Sequence, residues 1–158
     1  MAKKEEKTNV MRILDAAKIE YKSHCYLDSG AVSGTEVADA LGEDYDSVFK
    51  TLVTVGKSGE HYVFAIPVDK ELDLKKAAVA AGEKSISMVK SKELLSLTGY
   101  IHGGCSPIGM KKYFRTFFDE TAMLFDTIFF SAGKIGYQVE MSPSDIDKII
   151  PFEYKDLT

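Results

Sequence analysis

The sequence of 158 residues lacks several features that mark particular classes of protein. It contains only two cysteines, Cys25 and Cys105, which are too few for a disulfide scaffold and do not have the spacing of metal ligands. No apolar run approaches the roughly 20 residues that a membrane-spanning helix needs, and the charged first residues predict no signal peptide. We therefore expect a soluble, cytoplasmic protein.

The composition excludes disordered and fibrous chains. The sequence is 45% hydrophobic and 28% charged, with 12 glycines and only four prolines. Disordered chains are poorer in hydrophobic residues, and collagen-like chains are far richer in glycine and proline. A chain of this length buries about 70% of its unfolded surface on folding, so we expect one substantial core.

An excess of positive charge is also missing. The 20 Lys and Arg residues are outnumbered by 24 Asp and Glu, which gives a net charge of −4. Because neutralisation of phosphates supplies most of the non-specific affinity for duplex DNA, this balance argues against DNA binding. Lys111, Lys112 and Arg115 still form a small basic cluster. This cluster either holds a few phosphates or is an ordinary solvated surface.

The hydrophobic patterning predicts a mixed α+β fold. Helical periodicity predicts helices at Thr8–Ala17, Thr35–Leu41, Asp73–Ala81, Lys92–Leu97 and Ser144–Ile149. Runs of β-branched and aromatic residues predict strands at Lys22–Leu27, Val48–Val55, Tyr62–Val68, Ile86–Val89, Arg115–Phe118, Thr127–Phe130 and Ile135–Glu140. Adjacent strands with scattered helices favour a mixed sheet over strict βα alternation. No low-complexity linker divides the chain, so we predict one domain over residues 1–158, with residues 1–7 as a disordered tail.

A glycine-rich segment is the most informative candidate site. It runs from Gly103 to Gly109 with the sequence Gly-Gly-Cys-Ser-Pro-Ile-Gly. Consecutive glycines let the backbone approach a ligand closely, and inward N–H groups in such a loop form an anion or oxyanion site. A tight connection without a ligand is the alternative. The segment is not a P-loop, because no Gly-Lys-Ser/Thr closes it.

Lys50 is a second candidate, because it lies inside a run that otherwise reads as a strand. Strict alternation places it on one face with Val48 and Leu52. A lysine on an apolar face must either extend its ammonium to solvent or meet an anion. The turn Ser131–Gly136 also brings a hydroxyl and a cation together, although a plain β-turn explains it equally well.

Cys105 invites interpretation as a nucleophile, with His102 three residues away as its base. No histidine of the sequence is paired with an acid or a metal ligand at a recognisable spacing. A structural role for Cys105 is therefore favoured, and nucleophilic catalysis stays an alternative.

Five motifs occur along the chain in a characteristic order. They are Phe49–Leu52, Leu72–Ala78, Thr98–Tyr100, Gly103–Lys112 and Ser131–Gly136. Together they resemble the YbaK/EbsC family of free-standing aminoacyl-tRNA deacylases, relatives of the editing domain of bacterial prolyl-tRNA synthetases. The similarity extends from about Thr8 to Ile150, and the EbsC-like branch is the one that the sequence most resembles. The resemblance implies a single α/β domain with a mixed, barrel-like sheet surrounded by helices.

The resemblance also implies an activity. Family members hydrolyse the ester that joins a wrong amino acid to the terminal ribose of tRNA, chiefly cysteine on tRNA(Pro). Such editing in trans is needed because a synthetase pocket cannot reject a near-isostere by binding alone. The implied partners are the CCA end of an aminoacylated tRNA and a prolyl-tRNA synthetase, and no metal or organic cofactor is implied. For cysteinyl esters the thiol of the substrate itself attacks the carbonyl.

Site residues follow from the matching motifs. Lys50 is assigned to catalysis as an anchor for the terminal phosphate or ribose, and Gly103 as the donor of an N–H to the developing oxyanion. The implied substrate-binding residues are Tyr26, Thr51, Gly104, Ser106, Pro107, Gly109, Ser131, Gly133, Lys134 and Gln138. Ser33 and Gln138 stand where the enterobacterial branch has an aromatic and an acidic residue, so the reaction class is better supported than the amino acid.

Two other functions stay open. The first is a non-catalytic module that binds tRNA ends or a synthetase. The second is a deacylase for another aminoacyl-tRNA, such as an alanyl or seryl ester, with water as the attacking group.

Overall fold

Two β-sheets form the framework of the protein. The structure is a computed structural model that describes residues 7–158, so the tail predicted at residues 1–7 lies, apart from Lys7, outside the described residues. The strands are β1 Lys22–Cys25, β2 Phe49–Gly56, β3 His61–Pro67, β4 Ile86–Met88, β5 Arg115–Asp119, β6 Ile128–Ser131, β7 Tyr137–Met141 and β8 Glu153–Lys155. The α-helices are α1 Asn9–Ala16, α2 Gly34–Leu41, α3 Leu74–Ala81, α4 Ser91–Thr98 and α5 Pro143–Ile146.

The larger sheet is mixed and the smaller one is antiparallel. The larger has the strand order β4-β2-β3-β5-β8, in which β3 and β8 both run parallel to β5. The smaller has the order β1-β7-β6. A parallel bridge between Val48 and Phe129 connects the region before β2 to β6. The predicted mixed α+β fold is confirmed.

Helix boundaries follow from local capping chemistry. Helix α2 begins with a capping box, in which the Ser33 hydroxyl accepts from the Glu36 N–H and the Glu36 side chain accepts from the Ser33 N–H. It ends at Gly42, which has the left-handed φ of 68° that glycine adopts at low cost. The Thr8 hydroxyl accepts from the Met11 N–H and caps α1.

Strand β5 separates two hydrophobic clusters. Phe117 and Phe118 are fully buried and, as neighbours on a strand, point to opposite faces. Phe117 stacks on Phe64 with ring centroids 5.2 Å apart, whereas Phe118 packs in the cluster that contains Phe49 and Phe130. The cluster that contains Phe118 extends to β2 and β6, which line the site described below.

The C-terminal elements differ from the prediction. The expected helix Ser144–Ile149 is the shorter α5, because the Lys148 and Ile149 N–H groups donate to residues three positions earlier and tighten the chain into turns. Strand β8 was not predicted: it has three residues, none fully buried, and forms only by pairing with β5. No helix among the described residues is both long and apolar enough to cross a bilayer.

Candidate active site

A cavity of about 770 Å³ lies where the starts of β2 and β7 meet the glycine-rich loop and the N-terminus of α2. Six of the twelve predicted site residues line it: Tyr26, Lys50, Thr51, Gly103, Ser131 and Gln138. They come from the β1–α2 connection, β2, the loop before β5, the end of β6 and β7. The fold therefore collects residues that are more than a hundred positions apart into one cavity.

The other six predicted residues do not line the cavity. These are Gly104, Ser106, Pro107, Gly109, Gly133 and Lys134. Ser106 is fully buried, and its hydroxyl accepts from the Ile108 N–H at 3.3 Å. The Lys134 ammonium lies 5.6 Å from the centre of the Tyr137 ring. A direct role of these six residues in binding stays a prediction.

The position of the Tyr100 side chain explains why residues 109 and 133 are glycines. A Cβ atom at Gly109 would lie 2.6 Å from the Tyr100 hydroxyl oxygen, and one at Gly133 would lie 2.9 Å from Cε1 of the same ring. Both glycines also have left-handed φ angles. The Tyr100 hydroxyl donates to the Ile108 carbonyl at 2.5 Å. Tyr100 thus holds the glycine-rich loop against the turn that carries Ser131.

Lys50 is a half-buried cation on the wall of the cavity. It lies on β2, where it pairs with Ile66 of β3 and is two residues from Leu52 on the same face, as predicted. Burial lowers the pKa of its ammonium, and the negative charges of Glu71 and Asp69 partly oppose this effect. The ammonium makes no hydrogen bond or ion pair with any of the described residues. An anion in the cavity would supply the missing partner.

Two buried polar atoms beside the cavity lack hydrogen-bond partners within the described chain, Oγ1 of Thr51 and Oε1 of Gln138. Both residues line the cavity. Leaving a buried donor or acceptor unpaired costs about 1–3 kcal/mol, so such atoms are uncommon without a ligand or water. Their position indicates that the cavity is built to hold a polar molecule.

The glycine-rich loop presents backbone to the cavity at Gly103. This residue has a φ of 90°, and a Cβ there would lie 3.1 Å from Cγ1 of Val32. Within residues 7–158 the N–H of Gly103 donates to no protein acceptor, whereas the next N–H, of Gly104, donates to the Ile101 carbonyl at 3.0 Å. A free backbone N–H at a cavity wall can stabilise a developing oxyanion.

Cys105 lines the cavity but is a poor nucleophile in this environment. Burial raises the pKa of its thiol to about 12, and a hydrogen bond with Thr98 opposes the shift only in part. Thiolate is the reactive form of cysteine, so little of it is present at neutral pH. In the described part of the chain no group of three His, Cys, Asp or Glu side chains is arranged to hold a metal ion.

A polar network behind Gln138 was not predicted from the sequence. The Gln138 amide donates to Glu43 at 2.9 Å. Nearby, His24 and Glu140 form a pair at 3.0 Å, and the Thr127 hydroxyl donates to the other oxygen of Glu140. Glu43 follows a helix and lies 95 positions from Gln138, and no motif or spacing connects the two.

Residues 28–149 match the family described as the aminoacyl-tRNA editing domain. The chain belongs to this family. It is 44% identical over 161 residues to EbsC of Enterococcus faecalis, a protein named as a Cys-tRNA(Pro)/Cys-tRNA(Cys) deacylase, and the alignment covers 100% of this chain and 98% of EbsC. The resemblance to the YbaK/EbsC family is confirmed. The chain is also 30% identical over 123 residues to a proline–tRNA ligase of Shouchella clausii, covering 77% of this chain and 21% of the ligase.

Solved structures share the fold. One, described as a trans-editing enzyme for prolyl tRNA synthetase, superposes with a TM-score of 0.82 at 23% identity and covers 96% of this chain and 98% of its own. Another, the hypothetical protein APE2540, superposes with a TM-score of 0.84 at 21% identity, covering 94% and 97%. At these identities the two comparisons support the architecture alone.

Proposed function

We propose that this protein is an aminoacyl-tRNA deacylase that hydrolyses the ester of Cys-tRNA(Pro) in trans. The full-length match to EbsC supports the substrate class. The observation that carries the proposal is the cavity itself, which combines an unpaired cation, two unpaired buried polar atoms and a free backbone N–H. An aminoacyl ester on a terminal nucleotide has the anionic, hydroxyl and carbonyl groups that these partners lack.

Lys50 binds the anionic part of the substrate in this proposal. Its ammonium has no carboxylate partner to displace, so a terminal phosphate oxygen completes a charge-assisted hydrogen bond at little cost. Only the single-stranded CCA end needs to enter the cavity, and such recognition rests on a few close contacts. A chain with a net charge of −4 can therefore still act on tRNA.

The reaction needs no protein nucleophile when the substrate is a cysteinyl ester. The thiol sulfur of the substrate attacks the ester carbonyl and loses its proton, and a C–S bond forms as the bond from carbon to the ribose oxygen breaks. The ribose oxygen takes up a proton and leaves as the free 3′ end of tRNA. Water then opens the cyclic thioester to give free cysteine.

Protein groups orient the ester and stabilise charge in this scheme. The Gly103 N–H donates to the carbonyl oxygen as negative charge develops on it, and the Thr51 hydroxyl holds the adjacent ribose. The attack is already intramolecular, so the protein contributes by holding the thiol in the conformation that reaches the carbonyl. Cys105 stays protonated and takes no part.

Deacylation of Cys-tRNA(Pro), beside the same tRNA with its cysteine thiol alkylated, tests the proposal. We expect rapid release of cysteine from the first and none from the second, with equal binding of both. Equal cleavage of the two substrates would indicate that water or an enzyme group, and not the substrate thiol, attacks the ester. Binding without cleavage of either would favour the non-catalytic module, and equally fast cleavage of Ala-tRNA(Pro) would favour a different amino-acid specificity.

Two further parts of the proposal concern the cell. The similarity to part of a proline–tRNA ligase supports a prolyl-tRNA synthetase as the partner that delivers tRNA(Pro). We also propose that the protein acts in the cytoplasm, where tRNA is aminoacylated for translation. Co-purification of the protein with the synthetase, in the presence and absence of tRNA, tests the partner.

A further inference from the structure

We propose that Glu43 is a positioning residue that fixes the side-chain amide of Gln138, so that its carbonyl oxygen accepts a hydrogen bond from the α-ammonium of the aminoacyl ester. This inference rests on the proposed function and names how one part of the substrate is recognised. The structure shows the two protein residues, their contact and the free acceptor, and the ammonium is the ligand group that the surroundings favour.

The contact between the two side chains fixes the orientation of the amide. Gln138 is only 2% exposed, and its Nε2 donates to Oε1 of Glu43 at 2.9 Å. An ionised carboxylate can only accept hydrogen bonds, so the NH2 group of the amide must face it. The carbonyl oxygen is then directed the other way. That oxygen is buried, has no partner within residues 7–158 and belongs to a residue that lines the cavity.

Backbone structure holds Glu43 in place. It follows Gly42, whose left-handed φ of 68° ends α2. The N–H of Glu43 donates to the Ala38 carbonyl at 2.9 Å, so the residue is fixed to the last turn of the helix. The N-terminal end of the same helix contributes Gly34, Thr35 and Glu36 to the cavity wall. Helix α2 therefore connects Glu43 to the part of the cavity wall that Gly34, Thr35 and Glu36 form.

The charges around Gln138 favour a cation over a neutral donor. Glu43 and Glu140 both lie behind it, and His24 pairs with Glu140. Burial raises the pKa of the Glu43 carboxyl, while its hydrogen bond with Gln138 and the charge of His24 oppose that shift. A ligand ammonium at Oε1 of Gln138 would meet this negative region. The cavity thus has an anion-binding wall at Lys50 and a cation-binding wall at Gln138.

The α-ammonium is the one cationic group of an aminoacyl ester next to the scissile bond. Removing it alone gives 3-mercaptopropionyl-tRNA(Pro), which keeps the ester and the thiol of the cysteinyl substrate. Because the ammonium also makes the ester intrinsically more reactive, the ratio of kcat/KM for the two esters is divided by the ratio of their rates without enzyme, and this corrected ratio measures recognition of the ammonium. We expect wild-type protein to prefer the cysteinyl ester by about tenfold or more, the size of one charge-assisted hydrogen bond.

Variants of the pair test the role of Glu43. In Glu43→Gln the Gln138 amide can flip, so that its oxygen accepts from the amide of residue 43 and its NH2 group takes the place of the free oxygen. We therefore expect the corrected ratio to fall to near one while cleavage of the 3-mercaptopropionyl ester is unchanged. The exchanged pair, Glu43→Gln with Gln138→Glu, again directs a carboxylate oxygen into the cavity and should restore the preference. Glu60→Gln, in the exposed β2–β3 turn, is the matched control.

Each outcome separates this inference from the proposed function. A wild-type protein that cleaves neither ester overturns the proposed function and this inference with it. A wild-type protein that cleaves both esters with a corrected ratio near one overturns the inference alone, as does an unchanged corrected ratio in Glu43→Gln. A reduced ratio that the exchanged pair does not restore indicates a merely structural role and also overturns it.

Discussion

The substitution Lys50→Met separates binding of the substrate from stability of the fold. Methionine keeps most of the apolar stem of lysine and removes the charge. A hydrogen bond to a charged group contributes about 1.5–3 kcal/mol, and each 1.36 kcal/mol corresponds to a tenfold change in rate. Loss of the ammonium should therefore lower kcat/KM for Cys-tRNA(Pro) by about 10- to 150-fold.

The same substitution should leave the folded state as stable or make it more stable. Burial lowers the pKa of Lys50 in the folded protein below its ordinary value of 10.5. The unfolded chain therefore holds the proton more readily, and the cost of the buried charge is fully present below the lowered pKa and disappears as the pH rises towards 10.5. Methionine avoids that cost at neutral pH.

Steady-state deacylation and urea unfolding of the same preparations measure the two effects. Lys57→Met is the matched control, because Lys57 is exposed just beyond the other end of β2. It should change neither quantity. A Lys50→Met protein with wild-type kcat/KM would refute the reasoning about the anion, and one that lost activity and stability together would show that Lys50 supports the fold.

Three further predictions concern residues around the cavity. Tyr100→Phe leaves the buried Ile108 carbonyl without its partner and should lower the free energy of unfolding by about 1–3 kcal/mol in urea denaturation; an unchanged midpoint would contradict this role. Cys105→Ser should retain turnover of Cys-tRNA(Pro), because the buried thiol stays protonated; abolished turnover in a folded variant would reinstate the nucleophile. Burial raises the pKa of Glu43 above 4.5, so between the unfolded and folded pKa values the folded protein binds more protons and loses stability as the pH rises. The stability of Glu43→Gln relative to wild type should therefore increase as the pH rises from 4.5 towards neutrality. Thermal melts across this range measure that difference, and a difference that does not change with pH would contradict the raised pKa of Glu43.

Elements with a strong local pattern could be predicted from the sequence. The strands predicted at Val48–Val55 and Tyr62–Val68 correspond to β2 and β3, and the helix predicted at Thr35–Leu41 corresponds to α2. Strand β8 carries no such pattern, because three residues without a fully buried face become a strand only when β5 is beside them. The end of the last helix was mispredicted because the Lys148 and Ile149 N–H groups bond three residues back, a tightening that hydrophobic periodicity does not reveal.

Site residues that belong to a sequence motif could be predicted, whereas contacts that depend on three-dimensional packing could not. Lys50 stood out because a charge interrupts an apolar run, and Gly103 because glycines cluster there. Gly109 and Gly133 also lie in the family motifs. The Tyr100 side chain that occupies the space beside each of them could not be predicted from the sequence. Pairing of Glu43 with Gln138 depends on the contact between the end of α2 and the start of β7.

Deacylation of Cys-tRNA(Pro) by wild type and Lys50→Met, measured as kcat/KM from initial rates below saturation, tests the central claim most directly. We expect the wild-type protein to release cysteine rapidly, alkylation of the substrate thiol to stop the release, and Lys50→Met to have a kcat/KM lower by the factor given above. Stable binding of Cys-tRNA(Pro) by folded wild-type protein with no release of cysteine would contradict it.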